Sequence, residues 1–386
     1  MKKWSVGLLA ATALFVAGCG AGGAGGSGEE SDTIKLGSIF ELSGNVSAYG
    51  SAEANAVKMA VDEINEAGGI DGKQIELVEY DVKSDEQETA SVATKVATED
   101  NVLAIIGPAT SGLSKAALPS VTRAGVPLIS PSATDDTFTV DDNGDVQPYA
   151  FRVAFQDSFQ GVSLAQFAQN ELDATKAVIL GDNSSDYAIG LAENFTKTFD
   201  GEIVATENFT NADSDFSAVL TNIKNLDYDV LFVPGYYEQA GLIIKQAREM
   251  GIEQPILGPD GFGNTTLIDL AGKENVSDIF YTAHFTTNSE DEKVLDFLAN
   301  IEEATGSEAD MFSALAYDTV YAVKAAIEEA EELTPEAVTK SLENLTDFAG
   351  ITGTFSFDEF HNPVKSAVII EVQNGEEVSA VEVAPN

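Results

Sequence analysis

Cysteine is nearly missing from this chain: Cys19 is the only one in 386 residues. An intrachain disulfide is therefore excluded, and thiolate chemistry has no residue to use beyond position 19. Histidine occurs twice, as His284 and His361, and no G-x-S-x-G elbow is present. Basic residues are scarce too, 20 Lys and Arg against 64 Asp and Glu, for a formal net charge of −44. Nucleic acid and anionic lipid headgroups are bound through Lys/Arg clusters, so that balance argues against both. The acids are spread along the chain, which fits a solvated surface better than an acidic recognition patch. A long apolar run is also lacking. Val6–Val16 is the main candidate, and it falls well short of the roughly 20 residues needed to span a bilayer.

That short run has a different use. Lys2 and Lys3 precede it, and Val16-Ala17-Gly18-Cys19 follows it, small residues closing on the lone cysteine. The arrangement reads as a signal peptide over residues 1–18. It resembles the signals of bacterial lipoproteins, in which the cysteine becomes the lipid-modified first residue. Lipid attachment at Cys19 and a flexible Gly/Ser-rich, then acidic, tether over 19–32 are therefore expected. Gly20, Gly22 and Gly25 match G-x-G-x-x-G, but no strand precedes them and no helix follows, so the match is compositional. Gly72-Lys73 lacks the Gly and Ser/Thr partners of a phosphate loop, since Ala67 and Gln74 stand there. Asp141, Asn143 and Asp145 have calcium-loop spacing, but Val146 and Arg152 replace the required Gly and Glu, and a polar hairpin tip is favoured. No positive case for catalysis, a cofactor or a metal emerges.

About 355 residues remain beyond the tether, more than one hydrophobic core usually holds, so two lobes are expected. Short apolar runs alternate with segments of helical period. Ile34–Phe40, Ile75–Tyr80, Val102–Ile106 and Val126–Ile129 read as strands. Between them, Val57, Ala60, Val61 and Ile64 mark one helix face, and helices are predicted over 86–98 and 112–123. After an acidic loop at 135–148 a second, similar series begins. Its strands are Ala177–Leu180, Ile203–Phe209, Val230–Val233, Ile256–Leu257 and Ile279–Ala283, with helices over 188–199, 215–225 and 238–250. Two long helices at 290–304 and 311–331, a shorter one from Thr334, and strands at 353–357 and 366–372 complete the chain. The pattern is α/β: two doubly wound, Rossmann-like lobes with a late crossing between them. Ligands of such sheets bind beyond the carboxyl ends of the strands.

Those strand ends carry distinctive residues. The third strand runs into Gly107-Pro108-Ala109-Thr110-Ser111-Gly112 and then a helix, whose free N–H groups and dipole suit an anion such as a carboxylate. Ser111 stands at the expected N-cap, and simple capping is an equal alternative. The fourth strand ends in Ser130-Pro131-Ser132-Ala133-Thr134. In the second series, Pro234-Gly235-Tyr236-Tyr237 follows one strand and Gly258-Pro259-Asp260-Gly261 the next. Asp260 can meet an ammonium group or be an ordinary turn residue. An anion site on one lobe, an acid on the other and tyrosines between them suit a zwitterion.

At this point a family resemblance is specific. EINEAGGIDGKQIEL at 63–77, LSGNVSAYG at 42–50 and GPATS at 107–111 look like the leucine/isoleucine/valine-binding proteins, type I periplasmic binding proteins that serve ABC importers. Further matches are ISPSAT at 129–134, DYAIG at 186–190, PGYYEQAG at 234–241 and GPDGF at 258–262, so the likeness spans about residues 33–372. The resemblance implies a type I fold with a three-segment hinge near 153–157, 282–286 and 351–355. Lobe 1 would comprise 33–154 plus 284–352, and lobe 2 would comprise 155–283 plus 353–386.

Carried over by position, the resemblance implies that Ser111, with backbone from Ser132 and Thr134, holds the ligand carboxylate and shares the ammonium. Asp260, where many relatives have Glu, would pair with the ammonium. Tyr49, Tyr187 and Tyr236 would close over the ligand, and Phe312 would wall its side chain. Thr110 stands where a known leucine binder has a less polar residue, which argues against a purely aliphatic ligand. The function implied is capture of a branched-chain or other neutral amino acid by hinge closure and its delivery to ABC importer permease subunits. A monomer is expected, on the extracytoplasmic face of the bacterial cell membrane, held only by its lipid. A binding protein for urea, a short amide or an aromatic acid, and a ligand-sensing lobe of a signalling system, are the competing readings.

Overall fold

The computed structural model describes residues 33–141 and 143–385. The expected signal peptide, lipid-attachment residue Cys19 and tether lie outside the described residues. From Thr33 onward the chain forms one compact unit.

The first half alternates strand and helix: β1 (Thr33–Phe40), α1 (Ser47–Glu66), β2 (Gln74–Asp81), α2 (Glu86–Glu99), β3 (Ala104–Ile106), α3 (Ser111–Ala124), β4 (Leu128–Ser130) and β5 (Ala150–Arg152). The second half repeats the scheme: α4 (Asp157–Asn170), β6 (Lys176–Asp182), α5 (Asp186–Thr198), β7 (Glu202–Phe209), α6 (Ser217–Ile223), β8 (Val230–Phe232), α7 (Tyr237–Glu249), β9 (Ile256–Gly258), α8 (Thr265–Ala271) and β10 (Ile279–Ala283). There follow α9 (Glu292–Thr305), α10 (Met311–Glu329), α11 (Pro335–Glu343), β11 (Phe348–Gly350), β12 (Gly353–Phe357), β13 (Pro363–Val364), β14 (Ala367–Gln373) and β15 (Glu376–Val383).

β1–β5 form one parallel sheet in the order β2-β1-β3-β4-β5. The other main sheet runs β15-β14-β10-β9-β8-β6-β7. Its β6–β10 portion is parallel and repeats the 2-1-3-4-5 order of the first, while β14 and β15 add an antiparallel edge hairpin. That is the doubly wound order whose ligand crevice opens where the strand sequence reverses, here between β1 and β3 and between β6 and β8. The short central strands β3, β4, β8 and β9 are wholly buried, as expected of parallel strands covered by helices on both faces. α10 is stitched to α1 through Tyr317 and Tyr321, which both donate to Glu63, at 2.7 and 3.0 Å.

Two segments depart from the expected organisation. β5 and α4 fill the stretch between the two predicted series. α4 buries Phe159, Gly161, Ser163, Leu164, Ala165, Phe167 and Ala168, so it has no polar stripe for periodicity to reveal. β12, placed by sequence in lobe 2, pairs with β11 and β13 in a separate three-stranded sheet. The ring of Phe357 packs on Phe151 of β5, and His361 Nδ1 bonds to the Ala150 carbonyl at 2.9 Å, so this small sheet sits against the first main sheet. The chain joins the seven-stranded sheet only at Ala367, about a dozen residues after the expected crossing at 351–355. Asp141, by contrast, lies in a polar hairpin closed by the Val140–Val146 bridge, as expected. Its Oδ1 accepts from the N–H groups of Asn143 and Asp145 at 2.8 and 3.0 Å, and its Oδ2 from Asn143 Nδ2 at 3.3 Å, so the carboxylate serves the turn.

Candidate functional site

All nine sequence-predicted ligand residues line one cavity. Tyr49, Thr110, Ser111, Ser132, Thr134, Tyr187, Tyr236, Asp260 and Phe312 surround it, joined by Ala109 and Gly261. It leaves room for the centre of a water-sized sphere in only about 10 Å³, so its walls lie close together. Most of its lining belongs to loops at the carboxyl ends of β3, β4, β6, β8 and β9, as the topology requires.

The anion side is built on the turn between β3 and α3. Gly107 has φ +94°, and a Cβ there would lie 2.2 Å from the Ile39 carbonyl oxygen. Only glycine tolerates both the left-handed backbone and the close pass of β1. Glu41, at the end of β1, anchors the turn. Its carboxylate accepts from the N–H groups of Ala109 and Thr110, both at 3.0 Å, and from the Thr110 hydroxyl at 2.7 Å. Burial pushes the Glu41 carboxyl up, and those same hydrogen bonds pull it back. The Thr110 hydroxyl proton is spent on Glu41, so this threonine does not make the pocket wall as polar as its identity suggested.

Ser111 is the first residue of α3, one place inside the expected N-cap. Thr110 is the N-cap and makes no side-chain cap bond, which leaves the helix start exposed to the cavity. The Ser111 Oγ accepts from the N–H groups of Thr134 and Asp135, each at 3.1 Å. This alters the expected geometry, because the Thr134 backbone N–H is committed to Ser111 and not to a ligand. A serine hydroxyl that accepts twice still has one proton to give. The Thr134 hydroxyl is engaged with Asp157.

The opposite side is aromatic and acidic. Asp260 is buried directly after β9, and Tyr187 Oη donates to its Oδ1 at 2.5 Å. The Asp260 N–H donates to Gln160 Oε1 at 2.9 Å, and the Thr282 hydroxyl donates to the same oxygen at 2.6 Å. Burial raises the Asp260 carboxyl to about 6, with the Tyr187 and Gln160 bonds opposing. The rings of Tyr187 and Tyr236 stack at 4.9 Å and 4°. Tyr49 spans the cavity from α1. Its hydroxyl donates to the Gly261 carbonyl at 2.5 Å and accepts from the Tyr237 N–H at 2.9 Å, while its ring lies 4.2 Å from that of Phe312. Lys115 of α3 reaches Asp186 of α5 at 2.8 Å, a further bond across the cleft.

Sequence reasoning missed four buried residues behind this lining. Glu41 has been described. Glu53 contacts Ser132. Asp157 begins α4, its N–H donates to the Thr134 carbonyl at 2.9 Å, and its Oδ1 accepts from Gln160 Nε2 at 3.2 Å. Burial and the nearby Asp260 push the Asp157 carboxyl well up. His284 stacks on Phe155 at 3.7 Å, with its Nε2 3.9 Å from Asp260 Oδ2. Burial drives its imidazole far down, so it is neutral and the pair is not an ion pair. Among so many acids, the three carboxylates had no distinguishing sequence signal. His284 did have one, as one of two histidines and at a predicted crossing. Among the described residues no group of three or more His, Cys, Asp or Glu is arranged to hold a metal ion.

The family model for periplasmic binding proteins matches residues 33–377. A leucine-, isoleucine-, valine-, threonine- and alanine-binding protein of Pseudomonas aeruginosa is 30% identical over 334 residues, covering 85% of this chain and 86% of that protein. The crystal structure of LivJ, the substrate-binding protein of a Streptococcus pneumoniae branched-chain amino acid transporter, in complex with isoleucine, is similar with a TM-score of 0.87 and 46% identity, covering 92% of this chain and all of that one (100%). The leucine-binding protein LivK of Thermotoga maritima has a TM-score of 0.84 and 30% identity, covering 92% and 99%. The chain belongs to the leucine/isoleucine/valine-binding protein family and has the type I periplasmic-binding-protein fold.

Proposed function

We propose that this protein captures a free neutral amino acid with a branched aliphatic side chain and presents it to the permease of an ABC importer. One observation carries the reading. A single small cavity has a bare helix start and a serine hydroxyl with a proton to donate on one side, and a buried carboxylate on the other. A zwitterion bound there places its carboxylate at the start of α3 and Ser111. Its ammonium then meets Asp260, ionised at neutral pH because about 6 lies below 7. Phe312, Ala109 and the face of Tyr49 are left for an apolar side chain. Isoleucine in the LivJ relative and leucine in the name of the LivK relative point the same way.

The two main sheets, each with its helices, are the lobes of this reading, and the crossings run through 153–156, 284–291 and 365–366. Tyr49 and Lys115 bridge the lobes, so a ligand that touches both favours the closed form in proportion to its differential affinity. No residue set for turnover is needed. Lipid attachment at Cys19 would hold a monomer at the outer face of the cell membrane. The test is a thermal-shift and calorimetric screen of the soluble chain from Thr33 against all standard amino acids, urea and short amides. A selective ligand raises the melting temperature. Leu, Ile or Val should give the largest shift; a shift with urea or an amide alone would refute the reading.

A further inference from the structure

Ser132 reveals the protonation state of the acid behind it. Its Oγ lies 2.9 Å from the Ala109 carbonyl oxygen and in a very short contact with Glu53 Oε1. A carbonyl oxygen can only accept, and a serine hydroxyl has one proton. If that proton goes to Ala109, an ionised Glu53 would leave two acceptors pressed together. If it goes to Glu53, the hydroxyl and the Ala109 carbonyl are two acceptors in contact. Both contacts are satisfied at once only when Glu53 carries a proton of its own, donates it to Ser132, and Ser132 donates onward to Ala109.

The surroundings agree. Glu53 is fully buried on α1, and its Oε2 has no hydrogen-bond partner. An ionised carboxylate would bear that unmet demand as charge, whereas the carbonyl oxygen of a neutral acid bears much less. The titratable groups that bear on it are Glu41, at the end of β1, and Asp310, which caps α10. Both are acids that oppose a second charge, and burial pushes the Glu53 carboxyl well up in the same direction.

We infer that Glu53 is a neutral, hydrogen-bond-donating glutamic acid that positions Ser132 and, through it, ties the 131–134 loop to the 107–111 loop at the anion side of the cavity. This rests on the proposed amino-acid site and adds a residue that acts through another. Neutrality has a purpose there, because an ionised Glu53 would add a second negative charge, beside that of Glu41, behind the wall that receives the ligand carboxylate.

Infrared difference spectra of the ligand-free protein, wild type against Glu53→Gln, give the direct test at pH 7.5 and upward. The wild type should show the carbonyl stretch of a protonated carboxylic acid, missing in the variant, that moves on exchange into deuterium oxide. Leucine calorimetry on the same proteins gives the second test. Glu53→Gln keeps a donor toward Ser132 and should bind within about twofold of wild type, while Glu53→Ala, which leaves the buried Ser132 oxygen without its donor and the Ser132–Ala109 bond without support, should lose at least about tenfold. A carboxylate band with no protonated-acid band overturns the inference, and so does a Gln variant as impaired as the Ala variant. The infrared band needs no ligand. A wild type that binds no amino acid would therefore refute the proposed function while the band still decides the state of Glu53.

Discussion

The two parallel sheets share one strand order, yet they bring opposite chemistry to the cavity. The turn after β3 runs straight into the start of α3, and the longer segment after β4 opens with the hydroxyl residues Ser132 and Thr134. After β6, β8 and β9 the corresponding loops bring Tyr187, Tyr236 and Asp260. The first set is supported from behind by acids that accept from or donate to the loops, Glu41 and Glu53, and offers donors to the front. The second set hides a single carboxylate under two stacked rings. A repeated scaffold thus supports two unlike poles, because strand order fixes where a loop emerges but not what it carries.

If the poles are as unlike as proposed, damage to them should differ in size and in pH dependence. Asp260→Ala is expected to have the largest effect. Removing one partner of a desolvated charge pair typically costs about 2–5 kcal/mol, so leucine affinity by calorimetry should fall by roughly 30-fold or more. An affinity unchanged for every amino acid would break the comparison at its acidic side. Ser111→Ala should cost about 1–3 kcal/mol of binding and stability together, since it strands the buried N–H groups of Thr134 and Asp135 as well as losing the donor. Thermal melts with and without ligand separate the two contributions.

The pH dependence sharpens the contrast. Asp260 must be ionised to meet an ammonium, and its carboxyl is raised to about 6. Affinity should therefore weaken as pH falls through 6. The stability of the ligand-free protein should move the other way. A carboxyl whose folded-state pKa lies above its unfolded value of about 3.9 favours the folded state as it gains its proton, so this contribution grows from pH 7 toward pH 4. Asp260→Asn should abolish the affinity trend and remove this contribution to the stability trend, leaving the like-signed contribution of Asp310, whose carboxyl is also raised to about 6. The smallest effect belongs to Lys115→Ala, which removes the cross-cleft pair to Asp186, whose side chain is 66% exposed, along with a longer 3.4 Å pair to Asp135 on its own side of the cleft. It should cost no more than about 1 kcal/mol in affinity, and the loss should shrink in high salt.

The strands and the site loops were legible in the sequence for the same reason. Apolar runs such as Val230–Val233 end abruptly in Pro, Gly and hydroxyl residues, and strand ends are where such folds bind. Other features needed tertiary information. α4 is buried on nearly every face, so it lacks the amphipathic stripe that marked α1. β15 is largely exposed and carries Glu376, Glu377 and Glu382, a poor match to any strand template. The commitment of the Thr134 N–H to Ser111 joins residues 23 apart that only the neighbouring strands β3 and β4 bring together. The importance of Glu41 and Glu53 was masked by the 64 acids of the whole chain, since most of those among the described residues are not buried.

Gln160 has a mechanical consequence. It sits one helical turn after Asp157, whose N–H is bonded to the Thr134 carbonyl, and its own amide oxygen receives both the Asp260 N–H and the Thr282 hydroxyl. The first turn of α4 is therefore a rigid spacer between Thr134 and Asp260. Any swing of one half of the molecule against the other must strain or re-aim that spacer, so the reach of the acid toward the cavity is geared to the angle of the cleft.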